Sequence, residues 1–298
     1  MLQEDASAKA DVLIEAMKWI RQYRGKIIVI KLGGSLMEDK SAMMHLLLDV
    51  VFMESVQMKP VIVHGGGNAI SQAMSNAGIT PRFVQGRRYT DRESLAIVRE
   101  VLAHQISQGL VEEIQGFGGQ AKALSDYMGT NVLFGQKLNI KDDQGMDIDL
   151  GFVGTVTRVD VVPILDLCQQ GIIPVIPSYT ITDDLSRQGL NVNADTAATE
   201  VAKALHAEKL VYVSEVNGVR TDPNDPKSMI ESLTADEARK LLKSGAIVGG
   251  MIPKIQACLN TIERGVEKIH IINGRLRHSL LLEIFTTQGV GTEIVDKR

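Results

Sequence analysis

Cysteine is almost missing from this chain of 298 residues: only Cys168 and Cys258 occur, far apart, with no Cys-x-x-Cys and no cysteine–histidine cluster. That spacing excludes a disulfide framework and a zinc site, and predicts two buried, reduced thiols. No apolar stretch reaches the roughly 18 residues of a membrane span. The first residues lack the basic start and apolar core of a signal peptide, and Glu4, Asp5, Asp11 and Glu15 argue against an acid-poor transit peptide. The expected compartment is therefore a bacterial-type cytoplasm. An excess of either charge is also lacking, since the net charge is −4 with mixed signs. Without a basic stripe, neither nucleic acid nor an anionic membrane is an expected partner. There is no internal repeat and no low-complexity tract.

What the chain does have is 44% hydrophobic residues, ample for large cores in about two domains of ~150 residues each. Strand-like runs alternate with helix-like ones at 26–32, 42–57, 60–64 and 68–77. The pattern returns at 172–177, 194–206, 209–214, 235–243, 255–264 and 266–272. This alternation predicts βαβ units: a three-layer α/β/α sandwich around a mostly parallel sheet, in two lobes. Residues 82–91 and 149–160 alternate around Gly86 and Gly154 and read as β-hairpins on the first lobe, the kind of excursion that forms a substrate lid. The crossing between lobes is expected within 175–193. Ahead of all this, Leu13, Ala16, Met17, Ile20 and Tyr23 form an apolar stripe on a helix whose other face carries Asp11, Glu15, Lys18 and Gln22. The stripe must be buried, either on its own subunit or against a neighbour.

Three glycine-rich or polar segments carry the chemistry. The run Lys26-Ile-Ile-Val-Ile-Lys-Leu-Gly-Gly-Ser35 is too short and β-branched for a helix, so it reads as a buried strand delivering Lys31 to a point where Gly33 and Gly34 let a ligand touch backbone. Far downstream, Gly249-Gly-Met-Ile-Pro-Lys254 sets a second lysine beside glycines, and two such lysines suggest phosphoryl transfer. Val61-Ile-Val-His-Gly-Gly-Gly-Asn68 is again strand, glycines, helix. It puts free N–H groups of Gly65, Gly66 and Gly67 at a helix N-terminus, where an anion is favoured, although three glycines can also be a simple tight turn. It matches neither the Walker P-loop nor the G-x-G-x-x-G pattern. In Asn191-Val-Asn-Ala-Asp195, Asn193 or Asp195 could cap the alanine-rich helix that follows. Three such residues at alternating positions exceed a cap, and Asp195 is the candidate organiser of two lysines.

In this order, Val29-Ile-Lys-Leu-Gly-Gly-Ser35, Val63-His-Gly-Gly-Gly67, Gly86-Arg-Arg-Tyr-Thr90, Asn191-Val-Asn-Ala-Asp195 and Gly250-Met-Ile-Pro-Lys254 resemble the amino acid kinase family, and within it the N-acetylglutamate kinases, from about residue 26 to 295. The resemblance implies ATP-dependent, magnesium-assisted phosphorylation of the side-chain carboxylate of N-acetyl-L-glutamate, the second step of arginine biosynthesis. It implies that Lys31 contacts the phosphoryl group in flight, Lys254 neutralises the ADP side and Asp195 holds both lysines. Gly33, Gly34, Gly65, Gly66 and Gly67 would line the reacting centre. Arg88 would grip the α-carboxylate, with Arg87 a solvated neighbour, and Asn191 and Asn193 would face the acetylamino end. A substrate lobe (26–190) would precede an ATP lobe (191–298).

The residue types fit that chemistry. A carboxylate nucleophile is already ionised, so no general base is needed among the six histidines, and His64 reads as structural. Positioning and charge neutralisation remain. Magnesium would arrive on the nucleotide phosphates, with no dedicated protein cage and no prosthetic group. On the ATP side, Ser214, Glu215, Asn217, Gly218, Gly249 and Gly250 match nucleotide-binding positions. Glu215 departs from the family's more usual Asp, and residues 123–129 depart from a glycine-richer stretch.

Glu283 with Gly289 resembles the arginine-binding signature of the feedback-inhibited branch, which also has the extra N-terminal helix (1–25). That resemblance implies L-arginine as inhibitor, its guanidinium held by Glu283 and carbonyls near Gly289, with Tyr23 closing the pocket and His270 lining it. It further implies a hexamer of three dimers joined by interlaced helices. Two other readings stay open: a substrate one methylene longer, such as N-acetyl-aminoadipate or a carrier-linked form, and a non-catalytic sensor of arginine or acetylglutamate.

Overall fold

A computed structural model describes residues 2–142, 144–222, 225, 228–247, 251–286 and 289–297. At its centre is an eight-stranded sheet. It is built from β1 (Ile27–Leu32), β2 (Lys59–His64), β5 (Ala121–Ala123), β10 (Ile173–Pro177), β13 (Lys209–Ser214), β16 (Ser232–Thr234), β17 (Lys268–Asn273) and β18 (Thr292–Val295), in the order β16-β18-β17-β13-β1-β2-β10-β5. From β17 across to β5 every pairing is parallel; β18 runs antiparallel to β17, with β16 parallel to it at the edge. The central strands are continuous apolar runs, as parallel strands covered on both faces must be.

Alternate residues of these strands enter two different cores. Val29, Val61, Val63, Leu210 and Ile269 pack on one face with Ala197, Ala198 and Val201 of α7 (Ala194–Ala204) and Ile255, Cys258 and Leu259 of α9 (Met251–Glu263). Ile28, Ile30, Ile62 and Val211 pack on the other with Leu46, Leu47 and Val50 of α2 (Lys40–Ser55) and with Leu280 and Ile284 of α10 (Ser279–Phe285). The expected three-layer α/β/α sandwich is what forms. Cys168, on α6 (Val161–Gln169), and Cys258 are buried and free, as expected.

Four further strands, β6 (Leu133–Lys137), β9 (Val153–Val159), β11 (Tyr179–Thr182) and β12 (Gly189–Val192), close on one another as a small barrel. Residues 82–91 contain the expected hairpin, β3 (Phe83–Val84) with β4 (Arg87–Arg88). Residues 149–160 differ from expectation: they hold the single strand β9, the return arm of β6, while β7 (Ile140–Lys141) and β8 (Asp147–Ile148) pair at the tip of that long excursion. The segment 175–193 is likewise a strand pair, β11 antiparallel to β12, that carries the chain from the large sheet into the barrel and on to α7.

One long helical stretch had no counterpart in the sequence reading. It comprises α4 (Arg92–Arg99), a π-helical turn (Glu100–Ile106) and α5 (Ser107–Gly116). The wider turn shifts its apolar positions off one 3.6-residue period, which hides the stripe from periodicity. With α3 (Gly67–Asn76) it covers a third core of Ile70, Met74, Leu95, Val98, Leu102 and Tyr179.

The N-terminal stripe divides in two. In α1 (Leu2–Tyr23) the last turn packs on the sheet's α2/α10 side, with Tyr23 buried and Trp19 and Ile20 partly so. Leu13, by contrast, is 69% exposed, beside exposed Val12, Ile14 and Met17. Among the described residues no helix is long and apolar enough to cross a membrane. The remaining helix, α8 (Ala235–Ser244), has a full capping box between Thr234 and Glu237.

Candidate active site

Strand β1 lies between β2 on one side and β13 on the other, so the chain leaving its C-terminal end stands at the point where the sheet's connections diverge. Open α/β sheets bind ligands in that crevice. In register, Leu32 pairs with His64, so both glycine loops emerge side by side. They approach so closely that a Cβ on Gly34 would stand 3.0 Å from the Gly67 nitrogen. A side chain there would separate the two loops.

Lys31 alternates onto the same face as Val29, the α7/α9 face. There its Nζ is 2.9 Å from Oδ1 of Asp195, in the first turn of α7. Lys254, in the first turn of α9, lines the same pocket with Lys31, Asp195, Ser214 and Cys258. Burial and the neighbouring Lys31 ammonium hold the Lys254 amine below its ordinary range, with Asp195 and Glu215 pulling the other way. Two lysines and one carboxylate thus share a partly desolvated space. Beneath them Thr199 of α7, Tyr212 of β13 and Thr261 of α9 form a buried hydroxyl triangle with sides of 2.7 to 3.1 Å. It fixes both helices to the sheet. The sequence reading missed these three, because isolated threonines and a strand tyrosine carry no spacing signal.

An adjoining pocket is lined by Gly34, Gly65, Gly66, Gly67, Arg88, Asn191 and Asn193. Arg88 is 8% exposed. Its guanidinium donates to the Gly67 carbonyl (2.8 Å) and to Ser71 Oγ (2.7 Å), and it stacks over Phe83. No carboxylate among the described residues pairs with it. A buried, hydrogen-bonded cation without a counter-ion facing a cavity is an anion receptor. Arg87 lines the rim of the same pocket. Asn191 donates to Thr90 Oγ1 (3.1 Å). Asn193 caps α7, its Oδ1 accepting the Thr196 N–H at 3.0 Å, which leaves its amide donors to the cavity. Gly33 lies against the Lys31 ammonium, 3.7 Å from where its Cβ would be.

On the far side, the loop after β13 is pinned at several points. Ser214 Oγ accepts the Val216 N–H, Glu215 pairs with Arg275 at 3.0 Å, and Asn217 accepts from Asn273. Gly218 has φ 79° and presses on Thr292, where a Cβ would come within 2.5 Å of the hydroxyl. Gly249 and Gly250 lie outside the described residues.

A third pocket gathers Tyr23, His270, Glu283 and Gly289, with Trp19, Lys209, Glu231 and Glu293 beside them. Glu283 is buried and bonded at both oxygens: Oε1 meets His270 Nδ1 at 2.6 Å, while Oε2 accepts the N–H groups of Val290 (2.8 Å) and Gly291 (2.9 Å). Both oxygens therefore have partners already, and Oε1, with one, keeps a lone pair for a further donor. Lys209 reaches His270 Nε2 at 2.8 Å and Glu293 at 3.8 Å. Burial and the nearby Glu208 and Glu293 carboxylates push the Tyr23 hydroxyl up to about 12. Lys209 was overlooked because it opens an apolar strand, where a lysine ordinarily marks the solvated end.

Comparisons with known proteins agree with this geometry. Residues 26–273 match the model of the amino acid kinase family. An acetylglutamate kinase from Methanocaldococcus jannaschii is 43% identical over 289 residues, covering 96% of both chains. An acetylglutamate kinase from Akkermansia muciniphila is 42% identical over 287, covering 96% of this chain and 95% of its own. Among solved structures, an N-acetylglutamate synthase from Neisseria gonorrhoeae complexed with coenzyme A and N-acetyl-glutamate superposes with a TM-score of 0.81 at 25% identity, covering 97% of this chain and 64% of that longer one. The same synthase complexed with coenzyme A and L-arginine gives 0.79. With a sheet and lysine-bearing crevice of this form, the chain is a kinase and belongs to the amino acid kinase family.

Proposed function

We propose that the chain transfers the γ-phosphoryl group of ATP to the side-chain carboxylate of N-acetyl-L-glutamate, giving N-acetyl-L-glutamyl 5-phosphate for arginine synthesis. One observation carries this reading: the Lys31–Asp195–Lys254 cluster adjoins a pocket whose other end is the uncompensated cation of Arg88. Such a pair of pockets suits a substrate with a carboxylate at each end, one held and one reacting. The names of the relatives support the same substrate.

In this reading Arg88 binds the α-carboxylate, and Asn191 and Asn193 the acetylamino group. N–H groups of Gly34, Gly65 and Gly66 meet the attacking carboxylate and the moving phosphoryl. The carboxylate oxygen bonds to Pγ as the bond to the β,γ-bridging oxygen breaks, and its electron pair leaves with ADP. Lys31 neutralises charge on the equatorial oxygens and Lys254 on the departing side. Asp195 keeps the two ammonium groups apart and aimed. No group need accept a proton. Ser214, Glu215, Asn217 and Gly218 border the nucleotide. Magnesium carried on the nucleotide phosphates would supply further charge neutralisation, and Asp195 and Glu215, already paired with Lys31 and Arg275, are the carboxylates that would face it.

The lobes are residues 26–190 for the acceptor and 191–298 for ATP, in a cytoplasmic enzyme. The third pocket takes L-arginine as feedback inhibitor: its acidic wall of Glu231, Glu283 and Glu293 suits a guanidinium, and Lys209 suits an α-carboxylate. The bare apolar residues Val12, Leu13, Ile14 and Met17 of α1 suit an interlaced neighbour in a homohexamer. Removing residues 1–24 should then reduce the mass and blunt the arginine response.

The test is ATP-dependent hydroxamate formation from N-acetylglutamate with hydroxylamine, with and without L-arginine. Activity that arginine suppresses supports both parts, and activity indifferent to arginine removes only the regulation. No activity shifts weight to N-acetyl-aminoadipate or its carrier-linked form as the acceptor.

A further inference from the structure

His64 ends β2 immediately before the three glycines, has no solvent exposure, and makes two hydrogen bonds. Its Nδ1 lies 3.1 Å from the carbonyl oxygen of Gly65, and its Nε2 lies 2.9 Å from Ser107 Oγ. A carbonyl can only accept, so the contact with Gly65 is a hydrogen bond when Nδ1 carries the proton; Nε2 then accepts the serine hydroxyl, whose single proton also lies within reach of the Leu102 carbonyl at 2.9 Å. Burial keeps the ring neutral by depressing its pKa to about 4. In the Nδ1–H tautomer that the Gly65 carbonyl favours, the Ser107 proton turns from the Leu102 carbonyl to Nε2.

The Gly65 carbonyl and the Gly66 N–H belong to one trans peptide plane and point in opposite directions. Holding the carbonyl back toward the buried imidazole turns the N–H away from it, on a residue that lines the acceptor pocket. Among the described residues neither carbonyl nor side chain accepts that N–H. We infer that His64 is a positioning residue, which aims the Gly66 N–H at the phosphoryl group in transfer by gripping the Gly65 carbonyl from behind. This rests on the phosphoryl-transfer reading above, and gives a role to a histidine that the chemistry itself does not require.

The support behind the ring comes from the π-helical turn. Ser107 follows that turn directly, and its hydroxyl also lies 2.9 Å from the Leu102 carbonyl five residues back, the spacing of a π turn. The same turn presses Leu102 and Ile106 against Gly66, where a Cβ would come within 2.7 and 2.5 Å of their methyl carbons. One wall therefore fixes the position of Gly66, and one imidazole fixes the rotation of its peptide.

The test uses two amide replacements that each mimic one ring nitrogen. In His64→Asn the amide nitrogen falls near Nδ1 and can still donate to Gly65; in His64→Gln it falls near Nε2 and cannot. Glutamine should lower kcat about 10- to 100-fold, short of losing an oxyanion donor outright, with KM for acetylglutamate and for ATP within about twofold, and asparagine should recover most of that loss. Equal kcat for the two variants, or a loss confined to KM or following the melting temperature, would overturn the inference while leaving the kinase reading intact. A wild-type chain that does not phosphorylate acetylglutamate overturns both. Nitrogen-15 spectra of labelled histidine supply a readout without turnover: His64 should show Nδ1–H at pH 7, and an Nε2–H tautomer sinks the proposal by itself.

Discussion

The Nδ1 of His278 lies 2.6 Å from Oδ1 of Asp49, a carboxylate with no solvent exposure. This pair ties the residue before α10 to the middle of α2. Helix α2 follows the Gly33-Gly34 loop, and α10 carries Glu283 into the third pocket. His278 holds φ 57°, the left-handed conformation that turns the chain into α10. Burial pushes the Asp49 carboxyl up, with the histidine and the N–H groups of Leu281 and Leu280 opposing it. The strut therefore depends on its partner.

Removing the hydrogen-bond partner of a buried carboxyl leaves that group unsatisfied, at a cost of about 1–3 kcal/mol. His278→Ala should lose that much in urea unfolding at pH 7, because Asp49 remains behind in an apolar wall. His278→Gln, which can still donate to the carboxylate, should lose well under half as much. Equal losses would mean that the imidazole acts by packing against His45, 4.8 Å away ring to ring, and not by its hydrogen bond.

Replacement of Lys31 by Met keeps the length of the stem and deletes the charge. In the proposed reaction its ammonium faces the developing charge, so kcat should fall at least about 100-fold, with KM for acetylglutamate changed little. Lys31→Arg should not restore it, since a planar fork cannot replace a point charge 2.9 Å from Asp195. Steady-state kinetics at saturating ATP decide this. A rise in KM with kcat intact would make Lys31 a binding group.

Arg88→Lys separates holding from reacting. The shorter, round cation cannot keep both Gly67 O and Ser71 Oγ while facing the pocket. Hydrogen bonds to charged groups contribute about 1.5–3 kcal/mol, so KM for acetylglutamate should rise about 10- to 100-fold while KM for ATP stays put. A change in the ATP constant instead would place Arg88 on the wrong side of the reaction.

The parts of the site that were legible in the sequence are those where one residue type has only one local use. Lys31 after four β-branched or apolar residues, and Gly34 and Gly65–Gly67 after short strands, announce a lysine and bare backbone at strand ends. Burial alternation then carries Lys31 to the α7 face without further information. What stayed hidden depends on where separate elements meet. Thr199, Tyr212 and Thr261 form a unit only after α7, β13 and α9 pack together. The bonds of Glu283 to His270 and to two backbone N–H groups form only when α10, β17 and the chain before β18 meet. The role of strand β9 was misjudged because its partner, β6, lies beyond the reach of a local pattern.

His64 makes acid stability measurable. Its folded pKa, about 4, lies below its ordinary value of 6.5, so the unfolded chain binds the proton more readily. Its contribution is fully present above pH 6.5 and is lost as pH falls from there through about 4. At pH 5 the loss should be roughly 2 kcal/mol. Urea unfolding at pH 7 and pH 5 should therefore show a larger drop for the wild type than for His64→Asn, which has nothing to titrate. Parallel drops would assign the acid sensitivity to other groups.

Trp19 is the chain's single tryptophan, and it lines the third pocket with its ring 6.2 Å from that of Tyr23 and nearly parallel to it. A ligand entering between Lys209, Glu283 and Glu293 must alter the surroundings of that indole. Titration with L-arginine should therefore change the fluorescence in a saturable way, and L-ornithine, whose ammonium cannot make a forked contact, should change it far less at equal concentration. Glu293→Gln should weaken the response about tenfold by removing the more open carboxylate, an effect of about 1.4 kcal/mol on binding. Glu283→Gln should also lower the melting temperature, because His270 and the Val290–Gly291 N–H groups lose their acceptor charge. An unchanged spectrum at millimolar arginine, with the kinase active, would leave this pocket as a structural ion-pair network that holds α1 to the body of the enzyme.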